Sequence, residues 1–393
     1  MGRRYNTHKN YRSKRSYKPR RYGGKKIPTQ KYIAKAEQGY VAPSIYVEDK
    51  TYEDFNVSSK MLKQNIQRKG YKNPTKIQDQ AIPVILNGKD VLGLASTGSG
   101  KTGAFLIPMI DKTIKDHSQK CLIIVPTREL ASQIEDEFRD LARDTNIYST
   151  LVIGGTRINS QINKLRRNPE FVIGTPGRLK DLYERKVLDL SKFNNIILDE
   201  VDRMLDMGFI PDISFLISKL RDKKQTLFFS ATMSREAEKI ANTLLSNPIR
   251  IQVEKECPLK NVDQDIVRFK GSNEKVNVLM NLLDKDEFSK VLIFSRTKRG
   301  TDKLSKRLYE EGFRADSIHG DKSQNKRLAV MRKFKTNQID VLVATDVAAR
   351  GLDIPDVSHV INYDEPENYK DYIHRIGRTA RAGKKGCALT FVR

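Results

Sequence analysis

No apolar run in this 393-residue chain approaches the ~20 residues that a membrane-crossing helix needs, and the basic N-terminus has no apolar centre. Neither a membrane span nor a secretory leader is read. Cysteine is scarce: Cys121, Cys257 and Cys387 lie far apart, two of them on apolar strand-like runs. That excludes a disulfide or zinc framework and reads as reduced thiols in a cytoplasmic protein. The histidines (His8, His117, His319, His359 and His374) are equally scattered, so no metal site is drawn from them. Acid is almost missing from residues 1–47, where 13 Lys/Arg face the single Glu37 and supply a net +12 of the formal +25. A balance this basic points to a polyanion, most directly nucleic acid.

Residues 1–47 interleave charge with rings, as in Arg4-Tyr5, Tyr11-Arg12, Arg15-Ser16-Tyr17-Lys18 and Arg21-Tyr22. With no apolar period they read as a disordered tail. Lys and Arg suit phosphates while Tyr stacks on unpaired bases, which gives adhesion without sequence preference. A solubilising or ribosome-adhering tail is the competing reading.

The body is organised around residues 95–102. The apolar Val91-Leu92-Gly93-Leu94 leads into Ala95-Ser96-Thr97-Gly98-Ser99-Gly100-Lys101-Thr102 and then a helix-like stretch. Strand, tight loop and helix in that order make a phosphate cradle: Gly98 and Gly100 let successive N–H groups face one anion, and the helix dipole adds to them. Ser96, Thr97, Gly98, Ser99, Gly100, Lys101 and Thr102 are thus candidate nucleotide contacts. Lys101 is placed for the β- and γ-phosphates and Thr102 for Mg²⁺. About a hundred residues on, Ile196-Ile197-Leu198 ends in Asp199-Glu200-Val201-Asp202. A buried parallel strand ending in carboxylates delivers acids to the ligand edge of an α/β sheet. Asp199 would hold Mg²⁺ and Glu200 would orient or deprotonate an attacking water.

Apolar runs at Cys121–Val125, Leu151–Ile153, Phe171–Ile173, Thr226–Phe229 and Ile249–Val253 alternate with amphipathic stretches, the pattern of a doubly wound parallel sheet. Charge and a proline interrupt the pattern at 254–262, read as a hinge. Runs at Ile266-Val267, Val291–Phe294, Val341–Val343, Val357–Ile361 and Ala388–Val392 then predict a second sheet of the same kind. The expected division is a tail at 1–47, an ATP-binding domain at 48–253, the hinge at 254–262 and a second domain at 263–393.

Ala-x-Thr-Gly-x-Gly-Lys-Thr together with Asp-Glu-x-Asp resembles the DEAD-box family of superfamily 2 RNA helicases, and the likeness runs from about Tyr52 to Val392. It implies two tandem RecA-like domains, ATP and Mg²⁺ as cofactors, and RNA, as single strands and short duplexes, as partner. Gly70 to Gln78 resembles the family's adenine-reading segment, which implies that Gln78 pairs with the base and that an upstream aromatic, Tyr52 in preference to Phe55, stacks on it. By the same resemblance Pro126, Thr127, Arg128, Gly154, Gly155, Thr175, Pro176, Gly177, Arg178, Arg296, Thr297 and Thr345 contact RNA. Asp202, Ser230, Thr232 and His374 couple the two activities. Asp353 touches the ribose, and Arg378 and Arg381 are arginine fingers that approach the γ-phosphate when the domains close. The segment Gln324 to Arg327 matches interdomain and RNA-backbone contacts. The family core continues with a further helix, whereas this chain ends at Arg393.

The expected activity is hydrolysis of ATP to ADP and phosphate coupled to local unwinding of short RNA duplexes with little base specificity. The expected state is a cytoplasmic monomer working on ribosomal or other RNA–protein complexes. An ATP-gated RNA clamp uses the same residues and stands as the alternative, and a DNA helicase is disfavoured by the Gln78 segment and Ser230-Ala231-Thr232.

Overall fold

The computed structural model describes residues 27–37, 44–96, 98–221, 224–253, 258–349, 357–380 and 385–393. In the first domain the short aliphatic runs become β1 (Val91–Leu94), β2 (Cys121–Ile124), β3 (Ser149–Val152), β4 (Phe171–Gly174), β5 (Asn195–Leu198), β6 (Gln225–Ser230) and β7 (Ile249–Gln252). They pair in parallel in the order β3-β4-β2-β5-β6-β1-β7. Helices cover both faces, so the central strands β2 and β4 are apolar and buried throughout, while the edge strands β3 (Ser-Thr-Leu-Val) and β7 (Ile-Arg-Ile-Gln) mix in polar residues and are only partly buried. The period of two splits the core: Ile123, Ile173 and Ile197 pack on one face with Phe105 and Phe138, and Leu122, Val172 and Ile196 on the other with Leu179 and Leu216.

The second domain repeats the plan with β8 (Val262–Arg268), β9 (Val291–Phe294), β10 (Ala315–Ile318), β11 (Val341–Ala344), β12 (His359–Asn362) and β13 (Gly386–Val392). Its parallel order is β10-β11-β9-β12-β13-β8. Two tandem doubly wound sheets are what the sequence implied. Among the described residues no helix is long and apolar enough to cross a membrane.

Three boundaries differ from the sequence reading. Val262, assigned to the hinge, opens β8 fully buried because β13 pairs with it from Gly386 onward. The edge strand β10 was not anticipated; Ala-Asp-Ser-Ile is half polar although mostly buried, its Ser317 hydroxyl being satisfied by Asp302 Oδ1 at 2.7 Å. The tail expected through residue 47 is folded at 27–37 and 44–47. Tyr32 is 1% exposed in a cluster with Val262, Tyr372 and Ile376, and Tyr46 bridges to Thr75. One buried ring and a few backbone hydrogen bonds order a segment that has no apolar period of its own.

The strand order also sorts the loops. The C-terminal ends of β1, β6 and β5 lie side by side, and those of β2, β4 and β3 continue the same edge. Loops that read as nucleotide contacts therefore share one half of the edge, and loops that read as RNA contacts share the other.

Candidate functional site

The phosphate loop joins β1 to the Lys101–Lys115 helix. Gly100 caps that helix at φ 93°, a left-handed conformation, and a Cβ there would meet Thr75 Oγ1 at 2.7 Å and Gln78 Nε2 at 2.9 Å. Only glycine suits that position. Lys101 is 6% exposed, and its Nζ donates to the carbonyls of Ala95 at 2.9 Å and Ser96 at 3.1 Å. Gly98, Gly100, Lys101, Thr102, Asp199 and Glu200 line one cleft of about 370 Å³, and Lys335 reaches it from the second domain. Thr97 lies outside the described residues.

The acids follow β5 as expected. Asp199 is 3% exposed, and its Oδ1 accepts the Glu200 N–H at 2.8 Å. Burial pushes its carboxyl up to about 6, Lys101 pulls it down, and Glu200 pushes it up again. Glu200 takes φ 56°, a conformation rare for a side chain of its kind and characteristic of functional sites. Its Oε2 is held by Arg203 Nη1 at 2.8 Å.

Between these two loops stands β6. The Ser230 carbonyl accepts the Ala95 N–H at 3.1 Å, while its hydroxyl accepts the Asp202 N–H at 3.2 Å. Asp202 Oδ2 in turn accepts from Thr232 N at 3.1 Å and Thr232 Oγ1 at 2.9 Å. The phosphate loop, the acid pair and residues 230–232 thus form one hydrogen-bonded unit.

Gln78 is buried and its carboxamide is oriented by two backbone partners: Oε1 accepts from Thr75 N at 2.8 Å and Nε2 donates to Gly100 O at 3.0 Å. Tyr52 donates its hydroxyl to the same Oε1 at 2.5 Å and lies face to face with Tyr71. The structure brings Tyr52 onto Gln78, while Phe55 packs edge-on behind it in the core. Both lone pairs of Oε1 are engaged, so reading an adenine amine requires Tyr52 to let go.

The other half of the edge gathers cations. Thr127 caps the Arg128–Leu141 helix, its Oγ1 accepting from Leu130 N at 3.2 Å. The Arg128 guanidinium lies against Gly154 and Gly155, where a Cβ on either residue would press into it. Arg178, on the Pro176–Glu184 helix behind Thr175 and Gly177, aims Nη1 toward Thr156 O at 3.5 Å. Burial lowers the Arg178 pKa, Asp181 opposes that, and Arg128 adds to the lowering, as expected where two guanidiniums gather at an anion site. Pro126 is buried and shapes the turn.

In the second domain Arg296 and Thr297 are exposed after β9; Arg296 N donates to Asp364 Oδ2 at 2.8 Å and Thr297 caps the next helix. Thr345 is buried at the end of β11. Arg375, given no role in the sequence reading, grips Asp346 with two bonds of 2.6 and 2.7 Å and reaches Asn362 Oδ1 and Asp364 O. His374 and Arg378 line a small cavity with Asp346, Asp371 and Arg375. Arg378, in the turn that follows the Tyr369–Ile376 helix, is not among the residues lining the cleft of the phosphate loop. Arg381 and Asp353 lie outside the described residues.

The domains meet at Glu129. Its Oε1 accepts from Gln324 Nε2 at 3.0 Å and its Oε2 pairs with Arg327 Nη2 at 2.9 Å, all three residues being buried. Glu129 sits in the same turn as Arg128, so its neighbour faces the RNA edge while it faces the partner domain. A second link, Lys370 to Asp206 at 2.9 Å, is exposed and contributes little.

A DEAD/DEAH box helicase family model matches residues 75–240, and a helicase conserved C-terminal domain model matches 274–383. The Bacillus subtilis DEAD-box ATP-dependent RNA helicase CshA is 44% identical over 344 residues, covering 87% of this chain and 69% of that protein. The chain belongs to the DEAD-box family. CshA of Listeria monocytogenes is 46% identical over 343 residues, 87% of this chain and 66% of the relative. This DEAD-box chain spans about two thirds of the length of these relatives. Saccharomyces cerevisiae Dbp5 bound to RNA and ADP BeF3 superposes with a TM-score of 0.76 at 31% identity, covering 88% of this chain and 90% of that one. A DEAD box protein from Methanococcus jannaschii gives 0.51 at 39% identity, with 88% and 94% covered.

Two outcomes follow from these charges. Arg327→Ala leaves the buried Glu129 carboxylate with its Gln324 hydrogen bond but without its cation whenever the domains meet, a penalty of up to about 3–5 kcal/mol. Interdomain contact should weaken while each domain's own unfolding is unchanged; scattering profiles identical to the parent's would contradict this. Asp199 has its pKa raised by folding, so the stability it lends is complete below its ordinary value of about 4 and is lost as pH rises through about 6. Asp199→Asn should therefore raise the melting temperature at pH 7.5 by a few degrees; a lower one would show that the carboxylate stabilises the fold.

Proposed function

We propose that this chain is an RNA-stimulated ATPase that converts ATP to ADP and phosphate and uses that cycle to remodel or locally unwind short RNA duplexes with little base specificity. The observation that carries this reading is the Ser230 link, which ties the phosphate loop to the acid pair on the edge that also bears the cationic loops. The likeness to Dbp5 with RNA and ADP BeF3 supports both ligands. Dbp5 and the M. jannaschii protein are covered to similar extents, so the higher Dbp5 score supports a similar setting of the two domains rather than merely similar sheets.

In this reading Lys101 exchanges the carbonyls of Ala95 and Ser96 for phosphate oxygens, and backbone N–H groups from Gly98 to Thr102 surround the chain of phosphates. Tyr52 and Gln78 hold the base, and Asp353 holds the ribose. Thr102 and Asp199 share the cleft, and a hydroxyl with a carboxylate suits Mg²⁺, so these two residues would hold the ion and it would supply positive charge against the phosphates. Glu200, held by Arg203, orients the attacking water and accepts its proton as the bond from water oxygen to γ-phosphorus forms and the bond to ADP oxygen breaks. Arg378 and Arg381 neutralise the terminal phosphate; for Arg378 that takes a rotation of its side chain out of the cavity beside Asp346.

RNA lies along Arg128, Gly154, Gly155, Thr175 and Arg178, and across the cleft on Arg296, Thr297 and Thr345. Contacts there are to phosphate and sugar, and 2′-hydroxyls favour RNA over DNA. Phosphate loss shifts the loop, Ser230 passes the shift to Asp202 and Thr232, and the domains part.

Glu200→Gln should lower turnover by roughly 10²-fold or more while ATP-dependent RNA binding persists; undiminished turnover would remove the water-orienting role. RNA should stimulate hydrolysis well above DNA of the same sequence, and equal stimulation would point to a DNA translocase. Displacement of a short duplex strand separates unwinding from clamping.

A further inference from the structure

The N-terminal segment touches both domains. Ala34 pairs with Gln264 on β8 through two backbone hydrogen bonds, Ala34 N to Gln264 O at 3.0 Å and Gln264 N to Ala34 O at 2.7 Å. Ala36 N donates to Asp263 Oδ1 at 3.1 Å and Glu37 N to Lys260 O at 2.9 Å. Tyr32 is buried edge-to-face on Tyr372, ring centroids 4.9 Å apart, and the Tyr372 hydroxyl donates to Gln264 Oε1 at 2.9 Å. Lys31 lies over the Tyr369 ring at 5.1 Å. This is docking on the second domain, against the open edge of its sheet and the helix that carries His374 and Arg375.

A few residues later the same chain is fastened to the first domain. Tyr46 bridges to Thr75, Val47 N donates to Pro74 O at 2.9 Å, and Lys76 N donates to Ile45 O at 2.8 Å. Asn73 Nδ2 donates to the carbonyls of Glu48 and Lys50. These contacts adjoin Gln78 and the phosphate loop.

The geometry points to a second tether between the domains: the docked stretches 27–37 and 44–47, joined by the chain between them, form a strap that limits how far the domains part. Seven Cα steps separate Glu37 from Ser44, so the two anchors can be at most ~25 Å apart while both stay docked. One covalent hinge lets the second domain swivel freely. A hinge and a strap together restrict it to rotation about the line joining them, which raises the effective concentration of Gln324 and Arg327 at Glu129. The strap also covers β8, whose free edge would otherwise be open to pairing with another chain.

Two variants of the full chain test this. Tyr32→Ala removes the anchor, and an insertion of about 12 Gly/Ser residues between Gly39 and Tyr40 lengthens the strap while leaving both docked ends intact. The first could also loosen the second domain, a complication the insertion does not share. Without ligands, the insertion variant should show a broader interdomain distance distribution by small-angle scattering or spin-label measurement. Its KM for RNA in the ATPase assay should rise roughly 3- to 10-fold with kcat retained. Unchanged distances in the insertion variant would overturn the tether. The distance readout requires no ATPase, so its failure is separable from a failure of the proposed activity.

Discussion

Ser230 ends the strand that the sheet order sets between the strand of the phosphate loop and the strand of the acid pair. Its carbonyl and hydroxyl each take an N–H from one of those neighbours, and the residue is fully buried. Hydrogen bonds in so dry a place are costly to leave unmade, so neither loop can shift without drawing the other. Asp202 extends the link to Thr232, and the edge continues to the loops of Arg128, Gly155 and Arg178. A parallel sheet with this strand order therefore links the phosphate loop to the edge that bears the cationic loops through a few polar side chains alone.

The second domain enters through charge kept out of water. Glu129 is satisfied only by Gln324 and Arg327 from across the cleft, which makes the meeting of the domains conditional on all three. Arg375 plays the corresponding part within the second domain, binding Asp346 in two-pronged fashion and so setting the helix that bears His374 and leads into the turn of Arg378. The strap from 27 to 47 ends on that same helix at one side and beside Gln78 at the other.

Much of this was legible in the residues. The central strands of the first sheet announced themselves as aliphatic runs, because a strand buried on both faces has few polar positions to dilute the signal, whereas the edge strand β3 showed only part of its length. The phosphate loop and Asp199-Glu200 were legible for a related reason: their chemistry tolerates few other residue types at those spacings. What escaped depends on contacts distant in sequence. Glu129 follows the residues 126–128 read as RNA contacts, and only its burial against Gln324, 195 residues away, shows that it faces the second domain. Arg375 and Arg378 look alike in the sequence and border the same cavity, yet the two-pronged grip of Arg375 on Asp346 depends on a carboxylate 29 residues away. The edge strand β10 and the Tyr32 anchor carry too little apolar signal to stand out locally. A Tyr-Ile-Ala stretch in a basic tail gains its meaning from an open β8 edge that no local pattern reveals.

The account rests on one coupling: nucleotide bound on one half of the edge changes the hold on RNA at the other half through the Ser230–Asp202–Thr232 link. The most direct measurement is the affinity of a non-hydrolysable ATP analogue with and without saturating RNA, paired with RNA affinity with and without the analogue, in the parent chain and in Thr232→Ala. The two ratios in the parent should agree, at roughly fivefold or more, as linkage requires, and should fall toward unity in the variant. Affinities that are independent of one another in the parent, or coupling that survives intact in Thr232→Ala, would contradict it.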